Sequence, residues 1–77
     1  MNTSEKLLGL VNERLGRSEP LTPADAGTTF SDLGIDSLDR MLIVVAVQEG
    51  FGLSIPDEEL PQLQTLSALV GYIEKNG

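Results

Sequence analysis

Seven consecutive apolar residues, Met41 to Val47, follow closely on Asp36-Ser37-Leu38-Asp39 and constrain the fold more than any other stretch of the chain. Placed on a helix at about 100° per residue, they are apolar on two opposite faces. Ile43, Val44, Val47 and Phe51 fall within about 100° of one another and make the stripe of a core-facing helix. Leu38, Met41, Leu42 and Val45 gather on the other side. A small domain buries one such face, so the second has another use. Either a neighbouring loop folds over it, or it is a protein-binding strip bordered by Asp39 and Gln48 and ending at Glu49. The flexible, polarizable side chain of Met41 suits a surface that meets several partners.

A chain of 77 residues holds one core, so residues 1–77 are expected to form a single domain. With 0 cysteines there is no disulfide or thiolate metal site to hold it together, and packing of leucine and valine must supply most of the stability. The absence of cysteine agrees with a reducing compartment. The start, Met1-Asn2-Thr3-Ser4-Glu5, lacks the basic and apolar regions of a targeting signal, and no apolar run is long enough to span a membrane. The expectation is a cytoplasmic protein without membrane insertion.

Charge narrows the partners. Five basic and 12 acidic residues give a net charge of −7, which excludes nucleic acid as a natural ligand. Residues 19–59 hold nine carboxylates and a single cation, Arg40, while the stretches before and after sum to +1 and zero. Such a field solubilises the surface or, concentrated around one element, favours docking on basic partners.

Helix signals divide the rest of the chain. Thr3 or Ser4 is placed to cap a first helix whose Leu7, Leu8, Val11 and Leu15 share a face, and Gly16 stops it. Residues 17–31, with Pro20, Pro23 and Gly27, read as a long ordered loop anchored by Leu21 and Phe30. Asp36 caps a second helix reaching about Gly50, with Asp39 in the spacing of a capping box. Pro56-Asp57-Glu58-Glu59-Leu60 predicts a short helical turn that Pro61 cuts off. Thr65 caps a last helix with Leu66, Leu69, Val70 and Ile73 on its inner stripe. The outcome is an all-α bundle of three main helices and one short helix, with a long first loop and no strand.

Catalytic side chains are scarce. There is no histidine, no cysteine and one tyrosine, Tyr72, so the usual bases and nucleophiles are missing and an enzyme is not expected. Asp32, Asp36 and Asp39 lack the spacing and the turn glycine of a calcium loop, and helix capping explains the last two without a metal. Ser37 stands out by position. At the start of a helix its hydroxyl sits where unpaired amides and the positive helix end stabilise an attached phosphate, although Asp36 and Asp39 oppose that by repulsion.

At these residues the sequence resembles the acyl carrier proteins. The resemblance runs from about Leu7 to Ile73 and rests on Phe30-Ser31-Asp32-Leu33-Gly34-Ile35-Asp36-Ser37-Leu38-Asp39, on Phe51-Gly52-Leu53-Ser54-Ile55-Pro56-Asp57-Glu58-Glu59 and on the terminal helix with Tyr72-Ile73. It implies an acyl-carrier-like four-helix bundle and a 4′-phosphopantetheine arm, transferred from coenzyme A to Ser37 between Asp36 and Leu38, that carries acyl groups as thioesters. It also implies a phosphopantetheinyl transferase and ketosynthase-type or acyltransferase enzymes as partners of a monomeric carrier. Asp39, Met41, Leu42, Val45, Glu49, Asp57 and Glu58 are the expected docking residues. Leu42, Gln48, Gly50 and Arg40 depart from the acidic face common in carriers of primary fatty-acid synthesis, which favours a dedicated polyketide or fatty-acyl pathway. A peptidyl or aminoacyl carrier and an unmodified adaptor are the alternatives.

Overall fold

The computed structural model describes residues 2–76. Three α-helices, α1 (Thr3–Leu15), α2 (Ser37–Phe51) and α3 (Leu66–Asn76), are joined by irregular segments, with short 3₁₀ turns at Pro23–Asp25 and Asp57–Gln62. No strand occurs among the described residues. The three main helices, the short helix and the long first connection agree with the sequence reading.

The caps are local chemistry, and one differs from expectation. Asn2, not Thr3 or Ser4, caps α1: it is extended, and its Oδ1 accepts the Glu5 N–H at 2.8 Å. Thr3 is already helical. Asparagine is as good a cap as serine, and a cap bonds the N–H three residues on, which fits Asn2 with Glu5 here. Gly16 ends α1 in the left-handed conformation, φ 58°. The helix α2 runs one residue past Gly50 and stops at left-handed Gly52. Thr65 Oγ1 accepts the Ala68 N–H at 3.0 Å, as a cap of α3 should.

Two prolines shape the connections, the second against expectation. Pro23 opens a turn inside the long loop, where the Thr22 N–H donates to Asp25 Oδ2 at 2.9 Å. Pro61 does not cut off the short helix but lies within it. The closing bonds on either side, Glu59 N–H to the Pro56 carbonyl and Leu63 N–H to the Leu60 carbonyl, do not use the N–H that proline lacks.

The core is apolar throughout. Leu7 and Val11 of α1, Ile43 and Val47 of α2, and Leu69 and Ile73 of α3 are buried, and Leu21 and Phe30 anchor the loop as expected. Val44, Phe51 and Val70 are half-buried against that core, whereas Ala46 is buried without having been expected. The loop is tied down by polar groups. Asn12 donates to the Leu21 carbonyl at 2.9 Å and accepts the Leu21 N–H at 2.8 Å, satisfying both backbone groups of a buried residue. Helix α1 packs on both α2 and α3, while those two have little direct contact. The space left between them defines the site.

Candidate functional site

The approach to Ser37 is built from backbone hydrogen bonds. Residues 30–34 form one helical turn that ends in a Schellman motif: the Ile35 N–H donates to the Phe30 carbonyl at 2.9 Å and the Gly34 N–H to that of Ser31 at 3.1 Å. Gly34 has φ 77°, a conformation that costs other residues roughly 1 to 2 kcal/mol. Arg17 Nη2 donates to the Leu33 carbonyl at 3.1 Å, satisfying an acceptor freed at the end of the turn. Ile35 then drops into the core and Asp36 caps α2, its Oδ1 accepting the Asp39 N–H at 2.9 Å. Ser37, the first residue of α2, is held in the open by its neighbours. Ile35 inserted in the core and Asp36 capping the helix lead the chain to it, and its own side chain is exposed.

From Ser37 a groove of about 450 Å³ runs along α2. Ser37, Met41 and Val44 form one wall, at the i, i+4, i+7 spacing of a helix ridge, with Arg40 beside them. Asp57, Leu60 and Pro61 of the short helix form the facing wall, and Phe30, Leu63 and Leu69 lie beneath. Lower on the same flank, Gln48 Oε1 accepts the Ile55 N–H at 2.9 Å and joins α2 to the segment leading to the short helix. The sequence flagged Arg40 and Gln48 by residue type alone. The place of Arg40 at the groove and the bond from Ile55 to Gln48 both depend on residues 55–69 returning past α2, which no local pattern reveals.

The expected docking residues divide. Leu38, Met41 and Val45 are 68%, 65% and 39% exposed, so the long loop leaves this strip uncovered. Leu42, at its edge, is half-buried. Asp57, on the groove wall, and its neighbour Glu58 are exposed, and Asp39 is half-buried on the first turn of α2. Glu49 is exposed but pairs with Arg14 of α1 at 2.8 Å. Gly50 also faces α1, where an added Cβ would collide with Leu10 Cδ1. Gln48 and Gly50 therefore serve internal contacts, and their lack of acid follows from packing. Among the described residues, no three carboxylates, Asp32, Asp36 and Asp39 included, gather closely enough to hold a metal ion. No helix of the described residues is long and apolar enough to cross a membrane.

An exposed hydroxyl at a helix start, with free amides behind it and an apolar groove beside it, suits a covalently attached phosphate that bears a long arm. The family model described as a phosphopantetheine attachment site matches residues 5–73. The chain is 41% identical over 71 residues to an acyl carrier protein of Akkermansia muciniphila, covering 92% of this chain and 88% of that one. It is 39% identical over 72 residues to an acyl carrier protein of Bdellovibrio bacteriovorus, covering 94% and 91%. A mitochondrial acyl carrier protein of Dictyostelium discoideum is 38% identical over 73 residues, which are 94% of this chain and 58% of that longer one. The chain belongs to the acyl carrier protein family. Its cofactor is 4′-phosphopantetheine.

Proposed function

We propose that Ser37 carries the arm and that residues 1–77 act as a single, monomeric, non-catalytic carrier domain in the cytoplasm, serving enzymes that build polyketide or fatty-acyl chains. The observation that carries this reading is the exposed Ser37 at the first residue of α2, where the groove begins. A phosphopantetheinyl transferase supplies the base that takes the Ser37 hydroxyl proton. Ser37 Oγ then bonds to the β-phosphorus of coenzyme A, the pyrophosphate bond breaks and 3′,5′-ADP leaves. Once attached, the group supplies a thiol that holds acyl cargo as a thioester. The chain's own part is positional: Asp36 fixes the start of α2, and the apolar groove walls offer an acyl chain shelter from water.

The exposed strip of Leu38, Met41 and Val45, flanked by Asp39, Asp57 and Glu58, is the proposed docking face for the transferase and for ketosynthase-type or acyltransferase partners. Its apolar centre and the cation at Arg40 favour a dedicated pathway over a general one. Incubation with transferase and coenzyme A should add one arm by intact mass. Ser37→Ala should accept none while keeping its helical circular dichroism. Continued modification of that variant would overturn the assignment.

A further inference from the structure

We propose that Arg40 binds the phosphodiester of the arm and so directs the arm along the groove; this rests on attachment at Ser37. Residues 19–59 contain nine carboxylates and one cation, and that cation lies three residues after Ser37, a spacing that makes neighbours on a helix surface. In a field of −8, Arg40 is expected to pair with a carboxylate. Among the described residues it does not, since the ion pair present joins Arg14 to Glu49. The two nearest carboxylates in sequence, one and four residues before Arg40, are out of reach: Asp39 lies beyond 4 Å, and so does Asp36, which caps the Asp39 N–H. Asp57, on the opposite groove wall, is also beyond ion-pair distance. The Arg40 guanidinium instead stands over the Phe30 ring, 5.9 Å from its centroid, half-buried and lining the groove beside Ser37.

That placement answers an electrostatic difficulty. A phosphodiester on Ser37 brings a negative charge beside Asp36 and Asp39, and the amides of one helix end offset only part of the repulsion. A guanidinium has the planar donor fork that fits phosphate oxygens, and charge-assisted bonds of this kind are roughly twice as strong as neutral ones. The contact with Phe30 and the half-burial of Arg40 restrict the side chain in advance, so less freedom is lost when the anion is bound. Because Arg40 is on the groove side of Ser37, the bond tilts the arm toward the groove and away from the acidic face. The arm without cargo is sufficient for this contact.

The test compares the parent protein, Arg40→Gln and Arg40→Lys, each converted by transferase with coenzyme A and checked by intact mass. In the parent, conversion should shift the Arg40 Nε–H cross-peak, and the ³¹P resonance should differ from that of Arg40→Gln, with Arg40→Lys between them. Parent protein loaded with butyryl and with succinyl arms should show the same Nε–H shift as the free-thiol arm. An unmoved Nε–H peak with identical ³¹P resonances in all three proteins overturns the inference while leaving attachment intact. A shift seen with the succinyl arm alone also overturns it, because Arg40 then serves a carboxylate on the cargo. Absence of the arm from Ser37 overturns the attachment and this inference together.

Discussion

The two flanks of α2 carry similar side chains and have opposite fates. On the flank facing α1, Ala46 is buried, Gly50 lets Leu10 approach, Arg14 reaches Glu49, and Lys6 stands over the Phe51 ring at 4.7 Å. On the flank facing the short helix, Met41 and Val45 stay exposed above an open groove. Hydrophobicity alone does not separate them. The difference lies in the neighbour: a long helix lies close along one flank, and a short turn interrupted by proline stands off from the other. One side of α2 secures the fold and the other stays open, the side proposed above for partners and cargo.

This contrast can be broken by substitution. The largest effect is expected at the seam between the flanks, where Ile43→Ala should cost about 2 to 5 kcal/mol because its side chain is 1% exposed and leaves a cavity. For a chain of this length that is a large share of the total stability, and urea unfolding would measure it. On the packed flank, Gly50→Glu should cost about 1 to 3 kcal/mol, since Leu10 must give way to the new Cβ and a charge is pressed against α1. Gly50→Ala should cost less, because alanine recovers up to about 1 kcal/mol of helix propensity. A free Gly50→Glu substitution would mean that α1 and α2 can separate at no cost.

Smaller effects sharpen the comparison. Arg14→Ala should lose about 0.2 to 1 kcal/mol, less at high salt, because the pair with Glu49 is well exposed. Thermal melts at two ionic strengths would show it. On the open flank, Met41→Ala should change stability by no more than about 0.5 kcal/mol. It should instead slow transfer of the arm to Ser37. Equal destabilisation by Met41→Ala and Ile43→Ala would place Met41 in the core. Electrostatic docking adds one further difference: Asp39→Lys should slow that transfer more than Glu74→Lys does, and added salt should narrow the gap.

Much of this was legible in the sequence because the signals are local. Gly16, Asp36 and Thr65 terminate or cap helices through backbone groups a few residues away, and the stripes Leu7-Val11 and Leu66-Leu69-Ile73 follow from helical period alone. The acyl-carrier resemblance and the place of Ser37 at the start of α2 were legible for the same reason, in a contiguous run from Phe30 to Asp39. Asn2 was missed through competition among neighbouring cap formers, all chemically suitable.

What the chain determined by itself is the set of helices, their buried stripes and a serine exposed at the start of α2, since each depends on contacts within about one helical turn. Tertiary structure decided which flank of α2 would be covered, that Gln48 and Gly50 serve internal contacts, and that Arg40, without an ion-pair partner among the described residues, stands over Phe30 beside the groove. Those outcomes depend on distant segments: Leu10 precedes Gly50 by 40 residues, and the facing wall at Asp57–Pro61 follows Ser37 by at least 20. Helical period sets which side chains share a face, but only the packing of α1, α3 and the short helix around α2 determines what each face meets.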